Sequence, residues 1–253
     1  MLESFVALNI WKFLLVFARV GSAFGVLPGF SAPYVSVRTR LTMGLLLAFA
    51  LYPAVEPLMP GRPATVGLMI LLILSEMIIG FFLGLVPRFL VAAVQVAGTV
   101  IAFVSSLANS FVQDPLAEQQ SSIVAGFMST VVLVLIFVSD SHHLMLRALA
   151  DSYSLFEPGK PPIIGDFPEL MAHRVAEIFR LGVQLASPLI IVGLTYYISL
   201  GILGRLMPAL PVFFVGLPIQ LGTQSVVFML TLSGMMLVFM RYFQDSMYQF
   251  IAP

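Results

Sequence analysis

Cysteine is absent from the 253-residue sequence. Its absence excludes disulfides, thiolate metal sites and a cysteine nucleophile. Charge is scarce as well: Asp, Glu, Lys and Arg together make up 9% of the chain, against roughly 25% in an ordinary soluble domain. The 12 basic and 12 acidic side chains cancel to a formal net charge of zero. No long basic run breaks that balance, so nothing points to nucleic acid or to an acidic partner. A phosphate-binding glycine loop, a metal-ligand cluster and a catalytic carboxylate pair are all missing, and no serine sits in a strand–turn–helix nucleophile motif. Those absences argue against an enzyme and against a cofactor or metal. The chain also lacks an internal repeat and a low-complexity tract.

Apolar sequence is what it has. Hydrophobic residues make up 60% of the chain, and the mean hydropathy is +1.05. A soluble fold of this size cannot hide that much apolar surface, so lipid or other membrane subunits must cover the excess. Apolar runs fall at 5–27, 41–59, 65–86, 89–108, 122–139, 181–203 and 212–240. Each approaches the ~20 residues that a spanning helix needs. The expected fold is therefore all-α: a polytopic helical membrane protein, with residues 1–253 as a single integral membrane domain. The first run follows Glu3 rather than a basic flank and lacks a small-residue cleavage site, so it is expected to be retained.

Proline punctuates these runs. Pro28 and Pro33, the stretch Pro57–Pro63, Pro87, Asp114-Pro115 and the polar segment 150–169 read as breaks. With seven crossings, Arg38, Arg40, Arg88, Arg147, Lys160, Arg174, Arg180 and Arg241 share one side, and Arg62 and Arg205 the other. The bias predicts a cytoplasmic C-terminus and an external N-terminus. From Glu169 the pattern is amphipathic, and from Leu181 to Leu203 it is wholly apolar. This stretch reads either as one helix continuing through Pro188 or as an interfacial helix bending there into a span.

Lys12 and Arg19 stand inside the first apolar run, and Glu76 stands well inside the run 65–86. Lys12 and Arg19 are two helical turns apart and share a face. A charge at membrane depth costs about 2.5–3.5 kcal/mol even on a lenient scale, so these groups should face protein, with Lys12 or Arg19 pairing with Glu76. A structural contact fits better than a proton relay, because only Glu76 lies deep. Gly21/Gly25/Gly29, Gly80/Gly84 and Gly98/Ala102 recur at a spacing that lets helix backbones approach closely. Met229, Met236, Met240 and Met247 fall on one helical line, which reads as packing or lipid contact. His142 and His143 follow Asp140, but adjacent histidines on a helix point to different faces and do not read as a metal site.

Three stretches resemble the FliR family of flagellar type III export-gate proteins, related to the SctT virulence-secretion family. One is Ser75-Glu76-Met77-Ile78-Ile79-Gly80-Phe81-Phe82-Leu83-Gly84, an acidic residue followed by two spaced glycines. Another is Asp114-Pro115 with the span after it, ending Ser139-Asp140-Ser141-His142-His143-Leu144; Ser141 stands where that family commonly has glycine. The third and most specific is Pro211-Val212-Phe213-Phe214-Val215-Gly216-Leu217-Pro218-Ile219. The resemblance implies bent helical hairpins in a helical export-gate assembly with FliP-like and FliQ-like subunits, in contact with FlhB-like and near FlhA-like proteins. That gate sits in the bacterial inner membrane at the flagellar basal body and passes unfolded flagellar substrates. It also implies no catalytic residues, and six spans by conventional counting, with 212–240 as a bent pair.

Two local expectations follow. Gly216, Leu217 and Pro218 should kink the last apolar run. Residues 106–121 should form a constriction or plug. Pro115 breaks the helix there, Asn109, Gln113, Asp114 and Glu118 resist lipid, and Leu107, Phe111, Val112 and Leu116 offer dry contacts. Irregular polar backbone at membrane depth is tolerated only in protein or along water, and the resemblance places a plug-like loop at this point. An ordinary exposed loop is the alternative. The competing function is a secondary transporter or small channel with Glu76 and Lys12 or Arg19 as its coupling site.

Overall fold

The computed structural model describes residues 2–106, 111–113, 120–160, 167–207 and 212–251. Its body is all helical: α1 (Leu2–Phe24), α2 (Val37–Val55), α3 (Val66–Val104), α4 (Ile123–Val138), α5 (Ser141–Leu155), α6 (Phe167–Leu206) and α7 (Val212–Tyr248). A short antiparallel ribbon pairs β1 (Phe111–Gln113) with β2 (Gln120–Ser122), with Phe111 opposite Ser122 and Gln113 opposite Gln120.

The span count differs from the expected seven. Among the described residues, four helices are long and apolar enough to cross a membrane; α4 and α5 are bent through 72° and make a fifth if taken together. The runs 65–86 and 89–108 are one 39-residue helix through Pro87. Arg88 therefore lies inside α3 rather than in a loop, and the loop-charge argument for orientation loses its footing. The run 181–203 belongs to the 40-residue α6, which continues through Pro188, and 212–240 belongs to the unbroken 37-residue α7. At about 1.5 Å per residue these three helices run roughly 55–60 Å, nearly twice the ~30 Å hydrocarbon core.

Proline fails to end these helices for a local reason that is visible at Pro188. The missing N–H leaves the Gln184 carbonyl without its helical donor, and the neighbouring Ser187 Oγ donates to it at 2.8 Å. Such replacement donors are how apolar helices tolerate proline. The connection from α1 to α2 is tied by Arg40, whose guanidinium donates to the carbonyls of Phe30, Ala32 and Val35. Ser36 caps α2 by accepting from Thr39 N at 3.1 Å. The break between α4 and α5 falls at Asp140, which holds a left-handed φ of 56°.

The chain divides into two compact units. One comprises residues 1–89, 137–174 and 243–253. Its buried side chains include Leu15, Val16 and Val20 of α1, Ile79 and Phe82 of α3, Leu149 of α5, and Phe243 and Met247 of α7. The other comprises residues 90–136 and 175–242. It buries Val94 and Ile101 of α3, Met128 and Val132 of α4, Leu185 and Leu189 of α6, and Phe239 of α7. Large apolar residues remain exposed in rows: Leu41, Leu45 and Phe49 on α2, then Ile191, Leu194 and Ile198 on α6. On the methionine line, Met236 and Met247 are buried and Met229 is exposed.

Candidate functional site

The first unit is organised around Arg19. Its Nε donates to Glu76 Oε2 at 2.6 Å, and the two side chains are 0% and 2% exposed. Nη1 donates to the carbonyl and Oγ of Ser152, both at 3.2 Å, and Nη2 donates to the Phe156 carbonyl at 3.0 Å. The guanidinium carbon lies 4.1 Å from the centre of the Tyr153 ring. One α1 residue thus ties α3 and the end of α5. The contact exists because α1 and α3 touch at glycines. A Cβ on Gly80 would collide with the Arg19 carbonyl and Ser22 Oγ, and one on Gly84 would come 2.8 Å from the Ala23 carbonyl. Lys12 does not join this pair. It meets Glu56 at 2.6 Å, just past the end of α2. The shared face of Lys12 and Arg19 was legible, but Glu56, between Pro53 and Pro57 near the end of the run 41–59, was passed over.

Arg19 closed on Glu76, with three further acceptors on its guanidinium, is a fixed electrostatic joint. A coupling carboxylate must exchange a proton or ion with water, and this one is sealed. The geometry weighs against the transporter reading.

In the second unit, polar side chains converge where α3 ends. Gln220 Nε2 donates to the Val104 carbonyl at 2.9 Å and to Tyr197 Oη at 3.0 Å, and Tyr197 Oη lies 3.2 Å from Ser106 Oγ. One turn along α7, Gln224 is also buried; its Nε2 reaches the Leu189 carbonyl only at 3.5 Å, and its Oε1 has no hydrogen-bond partner among the described residues. The neighbouring Tyr196 donates to the Gly216 carbonyl at 2.5 Å. Gly216, Leu217 and Pro218 lie within continuous α7 rather than between two helices. A Cβ on Gly216 would stand 3.0 Å from Leu200 Cδ2 and 3.1 Å from Tyr196 Oη, so the glycine marks the close approach of α7 to α6. Sequence reading missed Gln220, Gln224 and Tyr197. The available signal was two glutamines four apart, hence on one face, in a strongly apolar helix.

Of the expected plug residues, Leu107, Asn109, Asp114, Pro115, Leu116 and Glu118 lie outside the described residues. For Phe111, Val112 and Gln113 the backbone is described, as strand β1. The far end of the segment is anchored in the second unit. Ser122 Oγ accepts from Ala125 N at 3.1 Å, starting α4, and donates to the Gly98 carbonyl at 3.4 Å.

The break at Asp140 corrects one inference. His142 and His143 do not diverge: their rings lie 4.1 Å apart, and ligand atoms of Asp140, His142 and His143 all fall within 4.8 Å. Asp140 and His143 are exposed, and His142 stacks on Phe137 at 5.1 Å. The left-handed residue is Asp140, while Ser141 is helical and buried, and its Oγ accepts from Gln244 Nε2 at 3.2 Å. A glycine is therefore not required at 141. Ser141→Gly is expected to lower stability by about 1 kcal/mol, the worth of one buried hydrogen bond, read as a fall of a few degrees in the melting temperature of the purified assembly.

The chain matches the family model for bacterial export proteins, family 1, over residues 10–246. It is 33% identical over 239 residues to flagellar biosynthetic protein FliR of Caulobacter vibrioides, covering 94% of this chain and 95% of that one. It is 30% identical to the protein of the same name from Aquifex aeolicus, over 92% of this chain and 89% of that one. With the Escherichia coli protein it shares 26% identity over 98% of this chain and 93% of the relative. The Glu76, Asp140 and Gly216–Pro218 motifs thus sit in a chain that matches along nearly its whole length, and it belongs to the FliR family of bacterial export proteins.

Proposed function

We propose that this protein is a core subunit of the flagellar type III export gate, forming part of the channel that passes unfolded flagellar proteins across the inner membrane at the basal body. The observation that carries this reading is the near full-length match to flagellar biosynthetic proteins. The long apolar helices agree with it. Helices of 37–40 residues with exposed apolar rows need more cover than one bilayer leaflet pair supplies. In the proposed assembly that cover is lipid together with FliP-like and FliQ-like subunits, with FlhB-like and FlhA-like proteins alongside. The chain acts as one membrane domain without catalytic residues, cofactor or metal. Residues 106–121 close the resting channel, and Gly216–Pro218 shapes α7 against its neighbours.

Expression tests the proposal. Alone, the protein is expected to aggregate; co-expressed with FliP-like and FliQ-like partners, it should elute as one large complex. A monodisperse monomer that ignores those partners would refute the reading.

A further inference from the structure

We propose that Asp140, His142 and His143 form a binding site for one divalent transition-metal ion of the zinc class, which locks the bend between α4 and α5. Export as read above uses no metal, so this inference goes beyond that reading and is tested apart from it.

The bend gathers donors that a straight helix would spread. Along an uninterrupted helix, adjacent side chains diverge by about 100°. Here the left-handed backbone of Asp140 interrupts the helical path, and ligand atoms of all three residues come within 4.8 Å of one another. Asp140 occupies the N-cap of α5, yet its side chain makes no capping bond, which is the usual task of an aspartate there. Its Oδ1 instead lies 3.6 Å from Nδ1 of His143. A tetrahedral ion with bonds of about 2.0–2.1 Å holds its ligand atoms roughly 3.3 Å apart. The remaining closure falls to Asp140 and His143, whose exposed side chains have room to turn.

His142 supplies the fixed ligand. Its ring stacks on Phe137. Phe137 meets Phe30 edge-on at 5.7 Å and lies so close to Gly29 that a Cβ there would collide with it. Beside His142, Ser141 Oγ accepts from Gln244 Nε2 and lies 2.9 Å from Ser139 Oγ, which fastens the bend itself. All of these residues belong to the first compact unit. His142 Nδ1 is buried and has no hydrogen-bond partner among the described residues. A buried imidazole nitrogen without a partner is uncommon and calls for a water or an ion. That orphan separates this cluster from three surface groups that water alone would satisfy.

The donor set selects the ion. Two imidazole nitrogens and one carboxylate oxygen suit zinc and its neighbours nickel and copper(II), whereas calcium and magnesium prefer shells made of oxygen. Three protein ligands leave a position for water, the arrangement of an open zinc site. The local field admits a cation. The negative end of α4 abuts the positive end of α5, so the two helix dipoles offset each other at the bend, and the Asp140 carboxylate adds a full negative charge. Once bound, the ion joins the residue at the 72° bend to the first turn of α5. Straightening the bend then requires breaking a metal–ligand bond.

The test uses this chain co-purified with its FliP-like and FliQ-like partners or, if it proves monodisperse without them, alone. The sample is stripped with a chelator and titrated with Zn2+, with Mg2+ in excess as competitor. Asp140→Asn keeps a residue that tolerates the left-handed backbone, His142→Phe keeps a ring on Phe137, and His143→Gln keeps a polar side chain. The unaltered protein is expected to take up one Zn2+ per copy of this chain with a Kd on the order of a micromolar, weaker than a closed four-ligand site. Its melting temperature should rise with Zn2+, because the ion binds the folded state. Each variant should bind at least ~10-fold more weakly, since even outer-shell partners of metal ligands are worth about 10–100-fold, and should lose the thermal shift at the same Zn2+ concentration. Equal uptake by the unaltered protein and the variants would mark an adventitious ion only and overturn the site. No uptake, or displacement by Mg2+, would overturn it too. Uptake without a thermal shift would overturn the lock on the bend. If the variants do not assemble, the unaltered protein decides: Zn2+ should shield His143 from diethyl pyrocarbonate, read peptide by peptide in a mass spectrometer, and an unshielded His143 would overturn the site. None of these outcomes bears on the export reading, which the co-expression experiment tests.

Discussion

Glu76→Leu is expected to remove most of the folded, assembled protein, while Glu76→Gln keeps most of it and most of the export. Arg19 is fully buried, and its four hydrogen bonds end on one carboxylate, two carbonyls and one hydroxyl. Leucine takes away the carboxylate and strands a buried guanidinium, a change that typically costs about 3–5 kcal/mol. Glutamine still offers an oxygen to Arg19 Nε, and the Tyr153 face and the α5 carbonyls remain. The paired change Arg19→Met/Glu76→Leu should recover much of the loss, because exchanging a whole buried pair for apolar groups is often nearly neutral. The measurement is the yield of intact complex by size exclusion in detergent, followed by an export assay. Normal yield from Glu76→Leu would contradict the structural role. Normal assembly with no export from Glu76→Gln would instead assign Glu76 a protonation step.

The sequence made the helical membrane character plain, since runs of about 20 apolar residues admit few other structures. It misled about where helices end. Pro87 read as a boundary, yet it lies inside α3; Pro188 left a continuous and a bent reading open, and it too lies inside one helix. Proline breaks a helix by orphaning a carbonyl, and at Pro188 the donor that rescues it, Ser187, is next to it and easily passed over. Composition shows that buried charges must pair but not which partner each takes. Arg19 goes to Glu76, 57 residues away, and Lys12 to Glu56, 44 residues away. Both distances are set by packing, and the glycines that permit it at Gly80 and Gly84 were legible only as a spacing. The polar cluster around Gln220 was illegible for a related reason: its partners are a backbone carbonyl and a tyrosine, and neither advertises itself in a sequence.

Gly80→Ala should cost far more than its single methyl suggests. In a helix interior, alanine is ordinarily better than glycine by roughly 0.5–1 kcal/mol, so on propensity alone the change would stabilise α3. The new Cβ would, however, overlap the Arg19 carbonyl and stand 2.8 Å from that carbonyl's carbon. These are backbone atoms, which cannot swing aside like the end of a flexible side chain. α1 would have to move away from α3, and the Arg19 Nε–Glu76 bond of 2.6 Å would stretch with it. Overpacking of this kind costs about 1–3 kcal/mol, and the strained ion pair adds to it. Gly98→Ala should behave alike within the other unit, since its Cβ would meet Ala125 Cα and come 2.8 Å from Ala125 N. The contrast is with Gly201, Gly222 and Gly234, where a Cβ would meet nothing within 4 Å. At those three positions alanine should leave the chain's own fold unharmed. In a matched set of alanine variants, the melting temperature of the assembled complex should fall for Gly80 and Gly98. A fall at Gly201, Gly222 or Gly234 would place a partner helix directly against that glycine and so map the interface. Unchanged melting for Gly80→Ala would mean that the close approach of α1 and α3 is not what holds Arg19 on Glu76.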